Sequence, residues 1–582
     1  MSSRKDSPFA SAAYISLVYS IFCTQNSKNK SKLSTATYEN CLTYRQDNEM
    51  HSLLTSIHCN EIMDEPSEIQ SFYKGKTIFI TGGSGLMGKV LIEKLLYSCS
   101  DLDKIYILIR SKRGRTPDMR IDEMIKLPMF QRVRKQKPHM IKKLIPLNGD
   151  VTLNDLGLTE EQHECLINET HIVFHCAATL RLEANLKDAV EMNTVGTKRL
   201  LELGKKMKKL QVFVHLSTAF CHVDQEELGE RVYDSPDDPY DVMRLVQWLD
   251  EDAINLITPK LIAPHPNTYT YSKRLAEKLV SDEFPNMPVV IARPSIVTPA
   301  LKEPLPGWVD NLNGPVGLVI GAGKGVIRSM HCNANYHAEV IPVDVAINAL
   351  IGIAQKVATA QTKYKNVPVY NITQSTIRPM TWGEVLEKGK KVARDYPFEG
   401  QIWYPDGDIR SSKFVHNLFV FFFHLIPAYL IDFLMLIFRQ KRFMVRIQKR
   451  ISDGLEVLQY FTTRDWVFHN TNMLVMWGDM SPKDKELFPL DLLHVDILSY
   501  MRDIILGARQ YCMKEDLSSL PRARIHQRIL YVIHVTTIYL FYFGILYLVY
   551  KNVEFVRVFL DYFTDKMKML PLVGSIIETH SS

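Results

Sequence analysis

Tyr269 and Lys273 stand four residues apart in Asn267-Thr268-Tyr269-Thr270-Tyr271-Ser272-Lys273-Arg274-Leu275-Ala276-Glu277. On a helix that spacing stacks them on one face. A free tyrosine ionises near pH ~10, too high for efficient proton exchange at neutral pH, and an ammonium close by stabilises the phenolate. A phenol so placed can protonate a carbonyl oxygen while hydride reaches the carbonyl carbon. Upstream, Val212-Phe213-Val214-His215-Leu216 reads as a buried strand ending in Ser217-Thr218. A hydroxyl at that strand end can hold the same oxygen; Thr218 is the preferred candidate and Ser217 the alternative. Tyr271 is the rival tyrosine, but its spacing to Lys273 turns it away on a helix. Tyr-x-x-x-Lys alone is weak evidence, so its meaning depends on a hydride source elsewhere in the chain.

That source is legible in Lys76-Thr77-Ile78-Phe79-Ile80-Thr81-Gly82-Gly83-Ser84-Gly85-Leu86-Met87-Gly88. A β-branched and aromatic run breaks into a glycine turn, and apolar residues at helical spacing follow from Lys89 to Leu96. Strand, glycine turn, helix is the context that makes a glycine pattern a dinucleotide site. Gly82 allows the sharp turn, Gly85 the approach of a pyrophosphate, and Gly88 close packing of helix on sheet. Thr81, Leu86 and Met87 complete the expected cradle. A second strand, Lys104–Ile109, ends in Arg110-Ser111-Lys112-Arg113, with no acid for a free ribose hydroxyl. Arg110 and Lys112 suit a 2′-phosphate, so the cofactor is read as NADPH.

Further strands place further cofactor contacts. Leu144–Leu147 leads to Asp150 and Val151 near the adenine, although an Asp there also commonly caps a turn. His171–Cys176 opens into Ala177 and Ala178, whose small side chains let backbone lie against the cofactor. Asn193 opens the next helix. Lys273 is expected to reach the nicotinamide ribose as well as Tyr269, and Pro294 closes a sixth strand, Val289–Arg293, beside the nicotinamide. His171 and His175 lack a matching Cys or carboxylate cluster, so no metal is expected.

These elements predict an α/β fold, a doubly wound parallel-sheet Rossmann domain over residues 71–400, after an N-terminal extension, 1–70, read as disordered. A mostly helical domain is expected over 410–515, a transmembrane helix over 529–550 and a tail over 551–582. A net charge of +6 is small for 582 residues and argues against a nucleic-acid partner. Nine scattered cysteines without a C-x-x-C pair point to a reducing, cytosol-facing compartment.

Ile529 to Tyr550 is apolar for roughly 22 residues, about 33 Å as a helix, enough to cross a bilayer core. Arg522, Arg524 and Arg528 before it place the catalytic domain in the cytosol. Phe414 to Phe438 is also apolar, but Asn417, His424, Pro427 and Asp432 interrupt it. It reads as two helices meeting at Pro427, either an acyl-chain tunnel wall or a membrane-lying surface, with a second spanning helix as the alternative.

The order of glycine turn, Ser-Thr strand end and Tyr-x-x-x-Lys resembles the extended short-chain dehydrogenase/reductase superfamily. Asn267–Lys273, Gly314-Pro315-Val316-Gly317, Gly321-Ala322-Gly323-Lys324-Gly325 and Ile341-Pro342-Val343-Asp344-Val345 resemble the alcohol-forming fatty acyl-CoA reductases. His424–Tyr429, Tyr460-Phe461-Thr462-Thr463 and Gly507-Ala508-Arg509 are similar to that family's C-terminal "male sterility" region. The resemblance runs from about Ser71 through the last apolar helix, with Tyr271-Ser272 standing where Phe-Thr is commoner. It implies four-electron reduction of a long-chain acyl-CoA to a primary alcohol by two NADPH, at a lipid bilayer. The endoplasmic reticulum is expected, since the final Thr579-His580-Ser581-Ser582 is not a Ser-Lys-Leu address, with the peroxisome as alternative. A membrane-bound sterol or hydroxysteroid dehydrogenase and a cofactor-binding scaffold are the competing readings.

Overall fold

A strand buried on both faces needs apolar residues at every position, and alternate residues then serve opposite sides. In the computed structural model Ile78 and Ile80 enter one core, with Ile105 and Ile107 of the next strand; Phe79, Tyr106 and Leu108 enter the other. The structure describes residues 66–361, 364–552 and a few positions up to 562. The expected N-terminal extension up to residue 65, and most of the tail after 552, lie outside the described residues.

Seven parallel strands form the central sheet: β1 (Thr77–Thr81), β2 (Lys104–Ile109), β3 (Leu144–Asn148), β4 (Ile172–His175), β5 (Val212–Leu216), β6 (Val289–Pro294) and β7 (Val369–Ile372). Their order is β3-β2-β1-β4-β5-β6-β7. Thr81 pairs with Leu108 on one side and His175 on the other, so the order reverses at β1 and leaves a crevice beyond the strands' carboxyl ends. Sequence patterning missed β7, a four-residue strand whose Asn371 reads as a turn residue. Its amide is buried and donates to the carbonyls of Leu228 (3.1 Å) and His469 (2.8 Å).

Four helices position the site: α1 (Leu86–Ser98), α2 (Gly196–Lys206), α3 (Thr268–Asp282) and α4 (Val343–Ala358). Leu91 and Leu95 of α1 and Ile347 and Leu350 of α4 share one core, while Leu200 of α2 and Leu275 of α3 share the other. The sheet is thus covered on both faces, the doubly wound architecture expected.

The C-terminal part adds α5 (Lys413–Ile437), α6 (Met444–Thr462), α7 (Ile497–Gly507) and α8 (Leu520–Asn552). Helix α7 and the turn after it pack into the reductase body. A Cβ on Gly507 would strike the carbonyl oxygen of Gly307, and the buried Arg509 donates to Ser519 Oγ at 2.8 Å and pairs with Glu515 at 3.4 Å. Helix α5 corrects one expectation. There is no break at Pro427; a π-helical turn over Phe421–Leu425 precedes it and absorbs the missing N–H within one continuous helix. Helix α8 begins before residue 529, and its first turns are docked by Arg524 Nε on Asp395 O (2.8 Å) and Gln527 Nε2 on Ala393 O (3.3 Å).

Candidate active site

The crevice is a cleft of about 760 Å³. It brings together Gly82, Gly85, Leu86, Met87, Gly88, Arg110, Lys112, Asp150, Val151, Ala177, Ala178, Ser217, Thr218, Tyr269, Lys273 and Pro294, which come from six strand ends and two helices.

At its glycine end the chain fits a pyrophosphate. Gly82 has φ +73°, and a Cβ there would lie 2.6 Å from the Ala177 nitrogen, while one on Gly88 would collide with the Gly82 carbonyl. Gly85 precedes the first residue of α1 and offers no side-chain cap, and the first turn carries no acid. Its first N–H groups, at Leu86 and Met87, therefore lack intrahelical partners and border the cleft. Thr81 and Asn193 do not line the cleft; they brace its wall. Thr81 Oγ1 pairs with His175 Nδ1 (2.8 Å) and accepts the Ala177 N–H (3.3 Å). Asn193 lies within a π turn, Glu191–Val195, rather than opening a helix. Its Oδ1 accepts the Thr179 N–H (2.8 Å) and its Nδ2 donates to Ser272 Oγ (2.9 Å), tying the loop after β4 to α3.

The end of β2 is cationic. Arg110 Nη1 pairs with Asp150 Oδ2 at 3.1 Å, and Arg120, absent from the sequence reading, also lines the cleft and donates to the Arg110 carbonyl at 2.6 Å. Burial and the charges of Arg110 and Arg115 together lower Arg120's pKa. Asp150 serves its own turn, with Oδ1 accepting both the N–H (3.1 Å) and the hydroxyl (3.0 Å) of Thr152.

Asn267 caps α3 through the Thr270 N–H (2.9 Å) and sets the phase of Tyr269 and Lys273. Tyr269 is hydrogen-bonded to Thr218, and Ser217 stands beside the Cys221 thiol. Tyr271 points away, its hydroxyl donating to Asp237 Oδ2 at 2.7 Å. The expected lowering of the tyrosine's pKa by the lysine is not seen. Burial pushes Tyr269 above its ordinary value, against the Thr218 hydrogen bond, and keeps it a protonated acid. Lys273 Nζ instead donates to the Leu216 carbonyl at 2.7 Å, and burial draws it down to about 8. The ammonium is therefore lost as pH rises through about 8. The expected result is a fall in kcat/KM for the cofactor above that pH, since this parameter reports the free enzyme. A profile flat well into the alkaline range would contradict it.

A buried ion pair that the sequence reading overlooked supports these residues. Glu277, on the same face of α3 as Tyr269 and Lys273, accepts from Arg293 Nε (2.8 Å) and Nη2 (2.6 Å), from Cys221 Sγ (3.2 Å) and from His222 Nε2 (2.9 Å). Burial raises its pKa, but the charge and hydrogen bonds of Arg293 and His222 outweigh that and hold it well below the usual range. Cys221, His222 and Glu277 converge closely enough to suggest a metal site. The Arg293 guanidinium, bonded to both carboxylate oxygens, supplies the positive charge there instead.

Beyond Tyr269 the cleft turns apolar, with Phe220, Leu318, Met330, Leu458 and Phe461 on its walls. Helix α6 supplies the last two, and no residue of α5 lines this cleft.

Doubly wound sheet, glycine cradle and cleft are those of a nicotinamide-dependent reductase. Two family models, both described as male sterility protein, match residues 80–350 and 423–515. The chain is 37% identical to fatty acyl-CoA reductase 1 of Mus musculus over 458 residues, 79% of this chain and 88% of that protein. It is 39% identical to fatty acyl-CoA reductase 1 of Xenopus laevis over the same shares. Against fatty acyl-CoA reductase 2 of Mus musculus it is 36% identical over 468 residues, 80% of this chain and 90% of that protein. The chain belongs to the fatty acyl-CoA reductase family.

Proposed function

We propose that this protein reduces long-chain fatty acyl-CoA to the primary alcohol with two NADPH. The observation that carries this reading is one cleft with a glycine cradle at one end, Thr218, Tyr269 and Lys273 at its middle and apolar walls beyond. The glycine turn and the N-terminus of α1 would hold the pyrophosphate, and Lys273 the nicotinamide ribose. When bound, the nicotinamide supplies hydride to the substrate carbonyl. Tyr269 gives a proton to the oxygen held by Thr218, which yields a hemithioacetal. Taking that proton back, Tyr269 lets the C–S bond break, and aldehyde and CoA thiolate form. The aldehyde stays between the apolar walls, and Tyr269 protonates its oxygen in the second reduction. The test is an assay of the full-length chain with a long-chain acyl-CoA: alcohol should form with two NADPH oxidised per molecule. Accumulation of free aldehyde at one NADPH each would overturn the second step.

NADPH rather than NADH is supported by Arg110, Lys112 and Arg120 around a strand end without an acid. Charged hydrogen bonds are worth about 1.5–3 kcal/mol each. Replacing Arg110 and Lys112 by alanine should thus raise KM for NADPH by roughly tenfold or more, with little change for NADH. Equal effects on both cofactors would refute the assignment. The bilayer contact is assigned to α8, whose residues after His534 are almost all apolar and exposed, with the catalytic body on the cytosolic side.

A further inference from the structure

Helix α5 is long and apolar enough to cross a membrane. Its contacts with the body argue otherwise. His416 Nδ1 pairs with Ser329 Oγ at 2.8 Å, and His424 Nε2 accepts the Arg328 N–H at 2.9 Å. Asp432 caps α6, taking the N–H groups of Phe443 (2.9 Å), Met444 (2.8 Å) and Val445 (3.0 Å). These three residues, with the buried Ala428 between the last two, form one stripe at helical spacing. The stripe runs about 24 Å along the axis at ~1.5 Å per residue. A helix held to a globular body along such a length lies on it and cannot leave it to span a bilayer.

The opposite stripe is Leu418, Phe422, Ile426, Leu430 and Leu434, every one at least 44% exposed. Five large apolar side chains in a row form a patch that marks an interaction site. Two observations say what covers it. Exposed cations, Arg439, Lys441 and Arg442, follow its carboxyl end and suit anionic headgroups. In addition, α8 is fastened to the same shelf: Asp406 binds Arg328 (2.8 Å) and His534 (3.4 Å), and Trp403 Nε1 donates to His534 Nδ1 at 3.1 Å.

We propose that α5 lies in the plane of the membrane, its Leu418–Leu434 stripe sunk among lipid headgroups and upper acyl chains, as a second attachment beside α8. This deepens the bilayer contact assigned to α8 and rests on it. Amphipathic helices held this way bury their apolar face about 5–10 Å into the interface.

The test is depth-dependent quenching of added tryptophan in the full-length chain, reconstituted in phosphatidylcholine and phosphatidylserine vesicles brominated either high or low on the acyl chain. Leu418→Trp and Leu434→Trp should be quenched best by the high bromines, and in equal ratio, because a helix in the plane holds both at one depth. Phe541→Trp, near the middle of the exposed part of α8, should respond best to the low bromines. Acyl-CoA reduction in detergent should be unchanged in all three, showing that they fold. Unequal depths at 418 and 434 would mean a tilted or spanning helix and overturn the proposal. No quenching at either, with Phe541→Trp quenched, would mean that protein covers the stripe and would also overturn it. Loss of quenching at Phe541→Trp alone would instead remove the assignment of α8.

Discussion

Tyr269→Phe is expected to cut acyl-CoA reduction about a thousandfold, within the range of general acid catalysis, while leaving KM for NADPH near the wild-type value. The aromatic ring fills the same place in wild type and variant, and the cradle is built by other residues, Gly82 to Gly88. What disappears is the phenolic proton beside Thr218. Because burial keeps Tyr269 protonated, the loss should fall on kcat at neutral pH, and alkaline conditions should not restore it. Lipid profiling of cells that express wild type beside the variant gives the same readout: fatty alcohol from the former and none from the latter. A variant retaining a tenth or more of wild-type turnover would remove Tyr269 from the mechanism and return attention to Tyr271.

Glu277→Leu is expected to destabilise the fold by about 3–5 kcal/mol, the usual result of stripping one partner from a buried pair. Arg293 would be left charged in the interior, with only the Gly229 (3.3 Å) and Arg231 (3.0 Å) carbonyls and His222 around it. The damage would reach the chemistry, because Glu277 also receives Cys221 and His222 from the loop that carries Thr218. Replacing both members, Glu277→Leu with Arg293→Met, should recover much of the stability, since an apolar pair of similar size avoids the desolvation cost. Thermal unfolding of the detergent-solubilised protein measures both variants. A loss below about 1 kcal/mol in the single variant would show that the pair does not hold β6 to α3.

Much of the site was legible because its parts are contiguous in the chain. The glycine turn is a matter of a few residues' backbone preferences followed by a helix, and Tyr269 with Lys273 needs only a helical turn. Glu277 could have been found by the same rule, two turns further along the face that carries Tyr269. Asp150 could not: turn cap and ligand contact require the same residue type at a strand end. Arg120 was hidden in a helix that sequence alone gives no reason to fold toward β2.

The sequence by itself determined the seeds: a βαβ start around Thr81–Gly88, a Tyr–Lys face, a basic strand end and two apolar helices. Each is a short-range pattern, set by local conformational preference and periodicity. The tertiary structure decided what those seeds do. Burial, which needs the whole core, moved the pKa of Tyr269 up, where the neighbouring lysine alone would move it down, and drew that of Lys273 down. Packing against β6 made a strand of Val369–Ile372, and α6 closed the apolar end of the cleft from far along the chain. The polar residues within the apolar helices, His424, Asp432 and His534, are paired to the body. A buried polar group costs too much to leave unpaired, and its partner is chosen by the fold and not by its neighbours in sequence.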